Sequence, residues 1–435
     1  MSDQPTGAEI GVTPAATDAN AGAARPAAIV GVLGAGTMGS GIAQLAARAG
    51  ARTLLHDPLA DALQRGAERA RDGLAREAAK GKLSPEEADA AASRIEPVDD
   101  LAAFAPCELV IEAVPERLEL KHELYARLSK EIVGADCVLA TNTSSLLVTA
   151  IAAAASHPQR VVGMHFFNPA PVMRLLEVVA GEQSDERALS VAHRTGEAMS
   201  KTVIRAQDGP GFLVNRCNRP FGLEALRLLQ ERIADVETID RTVRIEGGFR
   251  MGPFELMDLV GIETGFEISK SFYEQSFGEP RWRPSPIAAR YVAAGRYGRK
   301  SGRGYYDYSI DPYRPPDPAP PEGAADADAG VRPSGGGVLE RIVCQVINEC
   351  AFALGEGVGS AQDIDTGMVL GLNYPRGPLA WADEIGLDHV LAVLDGLWEE
   401  YREERYRAAP VLRRLVREGR IGRATGSGFF EHPAD

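Results

Sequence analysis

The segment that most restricts the fold is residues 28–39, AIVGVLGAGTMG. An apolar run ends there in glycines and passes directly into a helical pattern over 37–49. A short, continuously apolar run predicts a strand buried on both faces. A buried strand that turns on glycine into a helix opens a crossover unit, which commits the chain to a parallel sheet covered by helices. The alternation continues through RTLLHD (52–57), ELVIEAV (108–114), CVLATNTS (137–144) and RVVGMHFF (160–167). Helical pattern lies between, over 59–95 with a break near 81–85 that predicts two antiparallel helices, and over 121–132. LLEVVAG (175–181) follows His165 after an Asn-Pro-Ala-Pro turn, so the last two strands are expected to pair as a hairpin and make the sheet mixed at that end.

A chain of 435 residues is too long for one ordinary domain. Residues 1–27 are small and polar, with neither a secretory signal nor an organelle transit pattern, and read as a disordered tail. The doubly wound α/β domain is expected over 28–208. At Asp208-Gly209-Pro210-Gly211 the pattern turns helical, giving a first all-α domain over 209–309. Residues 310–337, rich in proline and alanine, read as a linker. Beyond it the chain repeats itself: 239–263 matches 364–388 at an offset of 125, and 293–306 matches 416–430 at an offset of 124. Residues 338–430 are therefore expected to be a second copy of the helical domain.

Composition removes several classes of function. With 47 basic against 61 acidic side chains the net charge is -14, and no basic patch offers a nucleic acid a footing. No apolar run is long enough for a membrane span. The five cysteines, Cys107, Cys137, Cys217, Cys344 and Cys350, are odd in number and lack a Cys-x-x-Cys pair, so neither a disulfide framework nor a zinc site is expected. A reducing cytosol fits best, and no metal is expected.

Gly34-Ala35-Gly36-Thr37-Met38-Gly39 fits G-x-G-x-x-G in the strand-to-helix context that its chemistry requires. The first glycine permits a tight turn, the second lets a pyrophosphate approach the backbone, and the third allows close helix–strand packing. The N–H groups of the helix start then face the phosphates. Asp57 ends the second strand 18 residues after Gly39, where a carboxylate accepts from ribose hydroxyls and repels a 2′-phosphate. NAD is therefore expected in preference to NADP. His165 ends a predicted strand, and Glu177 lies in the apolar run LLEVV, where a carboxylate needs a partner. The hairpin brings the two together, and a carboxylate that orients a histidine makes a general acid/base device.

Asn142-Thr143-Ser144-Ser145, His165-Phe166-Phe167-Asn168-Pro169, Pro210-Gly211-Phe212 with Asn215-Arg216, and Met251-Gly252-Pro253-Phe254-Glu255 together resemble the NAD-dependent L-3-hydroxyacyl-CoA dehydrogenases. The resemblance runs from about residue 28 to 308, and the repeat extends it to 430. It implies a Rossmann-like NAD-binding domain followed by two tandem all-α domains. The implied reaction is oxidation of a (3S)-3-hydroxyacyl-CoA thioester to the 3-oxoacyl thioester, as in fatty-acid degradation. By position, His165 resembles the general base, Glu177 its partner, Ser144 the serine on the substrate's 3-oxygen and Asn215 the asparagine completing the polar site. Glu116, Lys121, Ser144, Asn168 and Lys300 resemble positions lining the NAD and nicotinamide–ribose pocket. Lys80 and Lys82, where the 59–95 helical pair turns, are candidates for coenzyme A phosphates.

The second copy departs from the pattern. At the offset of 125, Asn215 falls on Glu340, at 124 Lys300 falls on Ala424, and the Pro-Gly-Phe entry is missing. The duplicate is expected to supply scaffold without catalytic groups. It would form an intrachain pseudo-dimer with the first copy, in place of the helical contact that single-copy relatives make between subunits, and further homo-oligomerisation stays open. Two other readings stay open on the sequence, a related oxidoreductase of free hydroxy acids and an NAD-binding scaffold without turnover.

Overall fold

The computed structural model describes residues 25–317 and 337–432. Eight strands form one sheet: β1 (Ile29–Leu33), β2 (Arg52–His56), β3 (Ile95–Pro97), β4 (Leu109–Glu112), β5 (Val138–Thr141), β6 (Val161–Phe166), β7 (Leu175–Ala180) and β8 (Thr202–Gln207). Their order is β3-β2-β1-β4-β5-β6-β7-β8. The chain reverses once. β6 and β7 pair antiparallel with His165 opposite Glu177, as the hairpin reading expected, and every other pair is parallel. The central strands are buried on both faces, which is why they read as unbroken apolar runs.

Helices α1 (Thr37–Arg48), α2 (Ala60–Ala79), α3 (Pro85–Ser93), α4 (Leu118–Arg127), α5 (Val148–Ala152) and α6 (Glu186–Ala198) accompany the sheet. α2 and α3 are the expected pair, and the second starts on a capping box between Ser84 and Glu87 with Pro85 in its first turn. Two strands were missed. β3 takes the end of the stretch read as helical to residue 95, and β8 escaped because only Ile204 and Ala206 of its six residues are buried. The order of the chain also begins earlier than the expected limit at 28, since the N–H of the buried Ala27 donates to Thr195 Oγ1 at 3.0 Å. Residues 1–24 of the expected tail, and residues 318–336 of the expected linker, lie outside the described residues.

The first helical unit comprises α7 (Val214–Cys217), α8 (Arg219–Gln230), α9 (Val236–Ile245), α10 (Pro253–Val260), α11 (Ile262–Gln275) and α12 (Pro286–Ala293). The second comprises α13 (Val338–Gly355), α14 (Ala361–Leu372), α15 (Pro378–Ile385), α16 (Leu387–Tyr401) and α17 (Pro410–Arg417). α13 is unbroken where its counterpart divides into α7 and α8. Pro220 lacks the N–H that would continue the ladder, and Gln345 stands at that place in α13.

α13 is buried from Leu339 to Ala353 and packs on α7, α8 and α9 of the first unit. The ion pairs across this contact are reciprocal. Arg216 reaches Glu349 at 2.9 Å and Glu356 at 2.6 Å, while Arg341, 125 residues after Arg216, reaches Glu224 and, at 2.8 Å, Glu231. Glu349 and Glu356 are in turn 125 residues after Glu224 and Glu231. Such exchange of partners is what a two-fold axis generates. α14 also packs against β7 and β8, and the Gln207 N–H donates to the Val358 carbonyl at 2.8 Å, so the second unit covers one edge of the sheet.

Candidate active site

The glycine loop turns tightly between β1 and α1. Gly34 has φ +91°, and a side chain there would strike the Ala113 backbone. A Cβ on Gly39 would collide with the Gly34 carbonyl oxygen, so the start of α1 lies directly on the loop. At Gly36 a Cβ would meet nothing within 4 Å, which leaves the backbone open to a ligand at the helix N-terminus. Asp57 secures the loop: its Oδ2 accepts from the Ala35 N–H at 2.9 Å, and its Oδ1 from the Leu59 N–H at 3.0 Å. Thr37 and Met38 form the first turn of α1. An open glycine backbone, a helix start and a strand-end carboxylate fit a dinucleotide's pyrophosphate and ribose.

At the same, carboxyl end of the parallel strands, register places His165 opposite Glu177. His165 Nδ1 lies 2.6 Å from Glu177 Oε2, with the histidine 6% and the glutamate 0% exposed. Glu177 Oε1 accepts from the N–H groups of Leu213 at 3.2 Å and Val214 at 3.0 Å. The imidazole rests on Phe167 and Phe212, with ring centroids 4.7 and 5.7 Å away. Nδ1 therefore carries the proton toward the carboxylate, and Nε2 has no protein partner among the described residues. The backbone donors on Glu177 explain the Pro210-Gly211-Phe212 entry. Gly211, at φ +71°, brings the chain against Phe272 and delivers the start of α7 to the carboxylate.

The loop after β5 carries the Asn-Thr-Ser-Ser motif. Asn142 Oδ1 accepts from the Phe166 N–H at 2.9 Å and ties this loop to the end of β6. Glu116 gathers the remainder, accepting from the Thr143 hydroxyl, the Ser144 N–H at 3.2 Å and the Ser145 hydroxyl at 3.0 Å. Burial opposes its charge, yet the Lys121 ammonium and the hydrogen bonds of Thr143, Lys121 and Ser145 hold the Glu116 carboxyl below its ordinary range. The Ser144 side chain is exposed and takes no protein hydrogen bond among the described residues. Asn215, half-buried on α7, and the exposed Asn168 are likewise uncommitted.

Two other expected residues are already paired with carboxylates. Lys121 is only 1% exposed and lies beneath Glu116, its ammonium paired with Glu112 at 2.7 Å and Glu116 at 3.2 Å. A buried ammonium requires such partners, so Lys121 sets the place of Glu116. Lys300 pairs with Glu263 at the start of α11, whereas Gln275, twelve residues on, is the residue of that helix that reaches the Ser145 carbonyl. At ~1.5 Å per residue that is roughly 18 Å, so the structure does not bring Lys300 to the cluster. Lys80 and Lys82 do share a cleft with Thr37, Arg69 and Arg76, about 280 Å³ in volume, between α1, the α2–α3 turn and residues 169–172.

The sequence profile of the 3-hydroxyacyl-CoA dehydrogenase NAD binding domain matches residues 29–209. That of the 3-hydroxyacyl-CoA dehydrogenase C-terminal domain matches twice, over 211–308 and 336–432. The chain belongs to this family. The double match is the repeat seen in the sequence. Over 460 aligned positions the chain is 36% identical to the 3-hydroxyadipyl-CoA dehydrogenase of Escherichia coli K12, spanning 88% of this chain and 96% of that one. A crystal structure of 3-hydroxybutyryl-CoA dehydrogenase from E. coli K12 is similar at a TM-score of 0.83 and 35% identity, covering 90% of this chain and 99% of that one. The human mitochondrial hydroxyacyl-coenzyme A dehydrogenase is 36% identical over 285 positions, 64% of this chain and 90% of that one. The chain is thus an NAD-dependent oxidoreductase of the 3-hydroxyacyl-CoA dehydrogenase family, and NAD is its cofactor. Among the described residues no helix is long and apolar enough to cross a membrane, and no cluster of histidine, cysteine and carboxylate side chains could hold a metal ion.

Proposed function

We propose that this chain oxidises (3S)-3-hydroxyacyl-CoA to 3-oxoacyl-CoA with His165 as general base and Glu177 as its orienting partner. The observation that carries the reading is the buried 2.6 Å contact between His165 Nδ1 and Glu177 Oε2, which leaves Nε2 turned away from its carboxylate partner. Nε2 takes the proton of the 3-hydroxyl group. Glu177, whose other oxygen accepts from two backbone N–H groups, balances the charge that develops on the ring. Bound NAD supplies the hydride acceptor. Ser144 and Asn215, both without protein partners among the described residues, hydrogen-bond the substrate's 3-oxygen as it becomes a carbonyl. Glu116, Asn168 and the glycine loop position the cofactor.

The thioester's coenzyme A portion is assigned to the cleft with Arg69, Arg76, Lys80 and Lys82, where four cations converge without filling the space. Relatives named for 3-hydroxybutyryl-CoA and 3-hydroxyadipyl-CoA support a CoA thioester as the substrate class. The second helical unit is assigned the place of a partner subunit's helical domain, an intrachain pseudo-dimer.

The test is turnover of 3-hydroxybutyryl-CoA with NAD⁺ by wild type and His165→Ala. Loss of a general base lowers kcat by about 10²–10⁴-fold, with NADH binding within about threefold because the glycine loop is untouched. Near-native kcat in the variant, or equal turnover of free 3-hydroxybutyrate by wild type, would contradict the assignment.

A further inference from the structure

Most cations buried in this chain face a carboxylate, as Lys121, Arg216, Arg244 and Arg341 do. Arg219 instead donates to Ser269 Oγ at 3.3 Å and lies 5.0 Å over the Phe272 ring, and so joins α8 to α11. Arg160 and Lys201 turn to backbone carbonyls. Arg160 donates to those of Ser129 at 3.1 Å and Cys137 at 3.3 Å, near the amino ends of β5 and β6 and away from the candidate site. Lys201 lies at the opposite end of the sheet, just before β8, whose start pairs with the start of β7. It is 8% exposed, and its ammonium donates to the carbonyls of Ala170 at 2.5 Å and Met173 at 2.6 Å. Burial, with Arg48 on α1 adding to it, pushes this group down to about 8 against the pull of Glu77 on α2. A desolvated charge opposes folding unless polar atoms compensate it.

The loop that Lys201 holds explains the charge. Pro169 and Pro171 have no N–H to give, so the turn closes on itself only through the Val172 and Met173 N–H groups, which meet the Pro169 carbonyl at 2.9 and 3.0 Å. The carbonyls of Ala170 and Met173 need a donor from elsewhere. Lys201 is fixed at its root to supply one. Its own N–H donates to the Gly196 carbonyl at 3.1 Å, and the next residue, Thr202, donates to the Arg174 carbonyl at 2.8 Å. The loop also rests on α1, where a Cβ on Gly41 would strike Pro171. It begins four residues after His165, and residues 169–172 form one wall of the cleft that Arg69, Arg76, Lys80 and Lys82 also line. Val172, 71% exposed, borders that cleft. An apolar side chain facing a group of cations suits a ligand that carries both phosphates and apolar surface.

We propose that Lys201 is a positioning residue for the substrate: it braces residues 169–172 as the wall of the cleft, and Val172 on that wall meets the coenzyme A portion of the thioester. The inference rests on the proposed function, which assigns coenzyme A to this cleft. Lys201 itself touches neither substrate nor cofactor and acts only through the loop.

The experiment compares (S)-3-hydroxybutyryl-CoA with the N-acetylcysteamine thioester of the same acid, which keeps the reacting acyl group and lacks the nucleotide. Wild type is expected to favour the first in kcat/KM by roughly tenfold to hundredfold, the scale of charge-assisted hydrogen bonds. Lys201→Met should raise KM for the CoA thioester by about five- to thirtyfold, while kcat, KM for NAD⁺ and turnover of the short thioester stay within about threefold. Lys201→Arg, which keeps donors for the two carbonyls, should restore most of the loss. Val172→Ser leaves the brace in place and should raise the same KM by about two- to fivefold. An equal loss on both thioesters in Lys201→Met would show a lysine that serves folding alone and would overturn the inference, as would an unchanged KM for the CoA thioester. If Lys201→Met does not fold, Val172→Ser decides, and an unchanged KM there overturns the inference. If wild type oxidises neither thioester, or both with equal kcat/KM, the proposed function or its cleft assignment fails and this inference with it. If wild type prefers the CoA thioester and both variants keep the full preference, only this inference fails.

Discussion

Glu177 joins three separated stretches of chain, receiving the His165 ring from β6 and two N–H groups from the start of α7 while standing on β7 itself. A glutamine there must turn its NH₂ toward either the ring N–H or the backbone donors. Glu177→Gln is therefore expected to lower kcat by about 10–10²-fold, less than loss of His165 itself, and to change the pH–rate profile. An unchanged profile would leave the carboxylate a purely structural role. Asp57 also has two tasks, because the oxygens expected to meet the ribose already hold Ala35 and Leu59. Asp57→Ala should weaken NAD⁺ by loosening the loop and narrow the preference over NADP⁺; wild-type use of both cofactors alike would refute the reading. The His165–Glu177 pair was legible because a carboxylate in an apolar run demands a partner and the turn supplied one. The Leu213 and Val214 donors were not, since backbone N–H groups leave no mark in a sequence. Arg219 was hidden for a related reason: whether an arginine meets a carboxylate shows only when its neighbours are in place.

Among the elements, the starts of α10 and α15 show what the repeat preserved. Asp240 accepts from the Phe254 and Glu255 N–H groups at 2.9 Å each, and Asp365 from those of Leu379 and Ala380 at 2.8 Å each. These aspartates are 125 residues apart, and each abuts a glycine, Gly252 or Gly377, where a side chain would collide with it. Burial outweighs the backbone donors and pushes the carboxyls up, Asp240 to about 7 and Asp365 to about 6. The folded chain thus keeps protons that the unfolded chain releases near ~4. That contribution to stability is complete below about 4 and is lost as pH rises through about 6 to 7. Asp365→Asn should flatten the fall in the urea midpoint between pH 4 and 7, by up to about 3 kcal/mol of pH dependence. Curves of equal slope for variant and wild type would contradict it. The conserved offset made this element legible as a repeat. β8 was not legible, because its buried residues are too few for periodicity to register.

Across the whole molecule, the contact between helical units already contains a prediction about its own removal. Cutting the chain after about residue 310 would uncover α7, α8 and the aromatic group at Phe221 and Phe249, which now packs on Tyr374 and Trp381. A second truncated copy would suit the exposed face, since Arg216 would then meet that copy's equivalents of Glu349 and Glu356, namely Glu224 and Glu231. The truncated protein is expected to dimerise or aggregate, and a soluble dimer should retain turnover because His165, Glu177, Ser144 and Asn215 all precede the cut. Sedimentation of both forms checks this; a truncated chain that stays monomeric and fully active would show that the second unit covers nothing essential. Fusing the two units also changes how the interface can vary. When symmetry builds a contact from identical chains, every substitution appears on both sides of the axis at once. Here each side is encoded separately, so Glu340 can stand opposite the axis from Asn215, and Cys344 from Arg219, without altering the first copy.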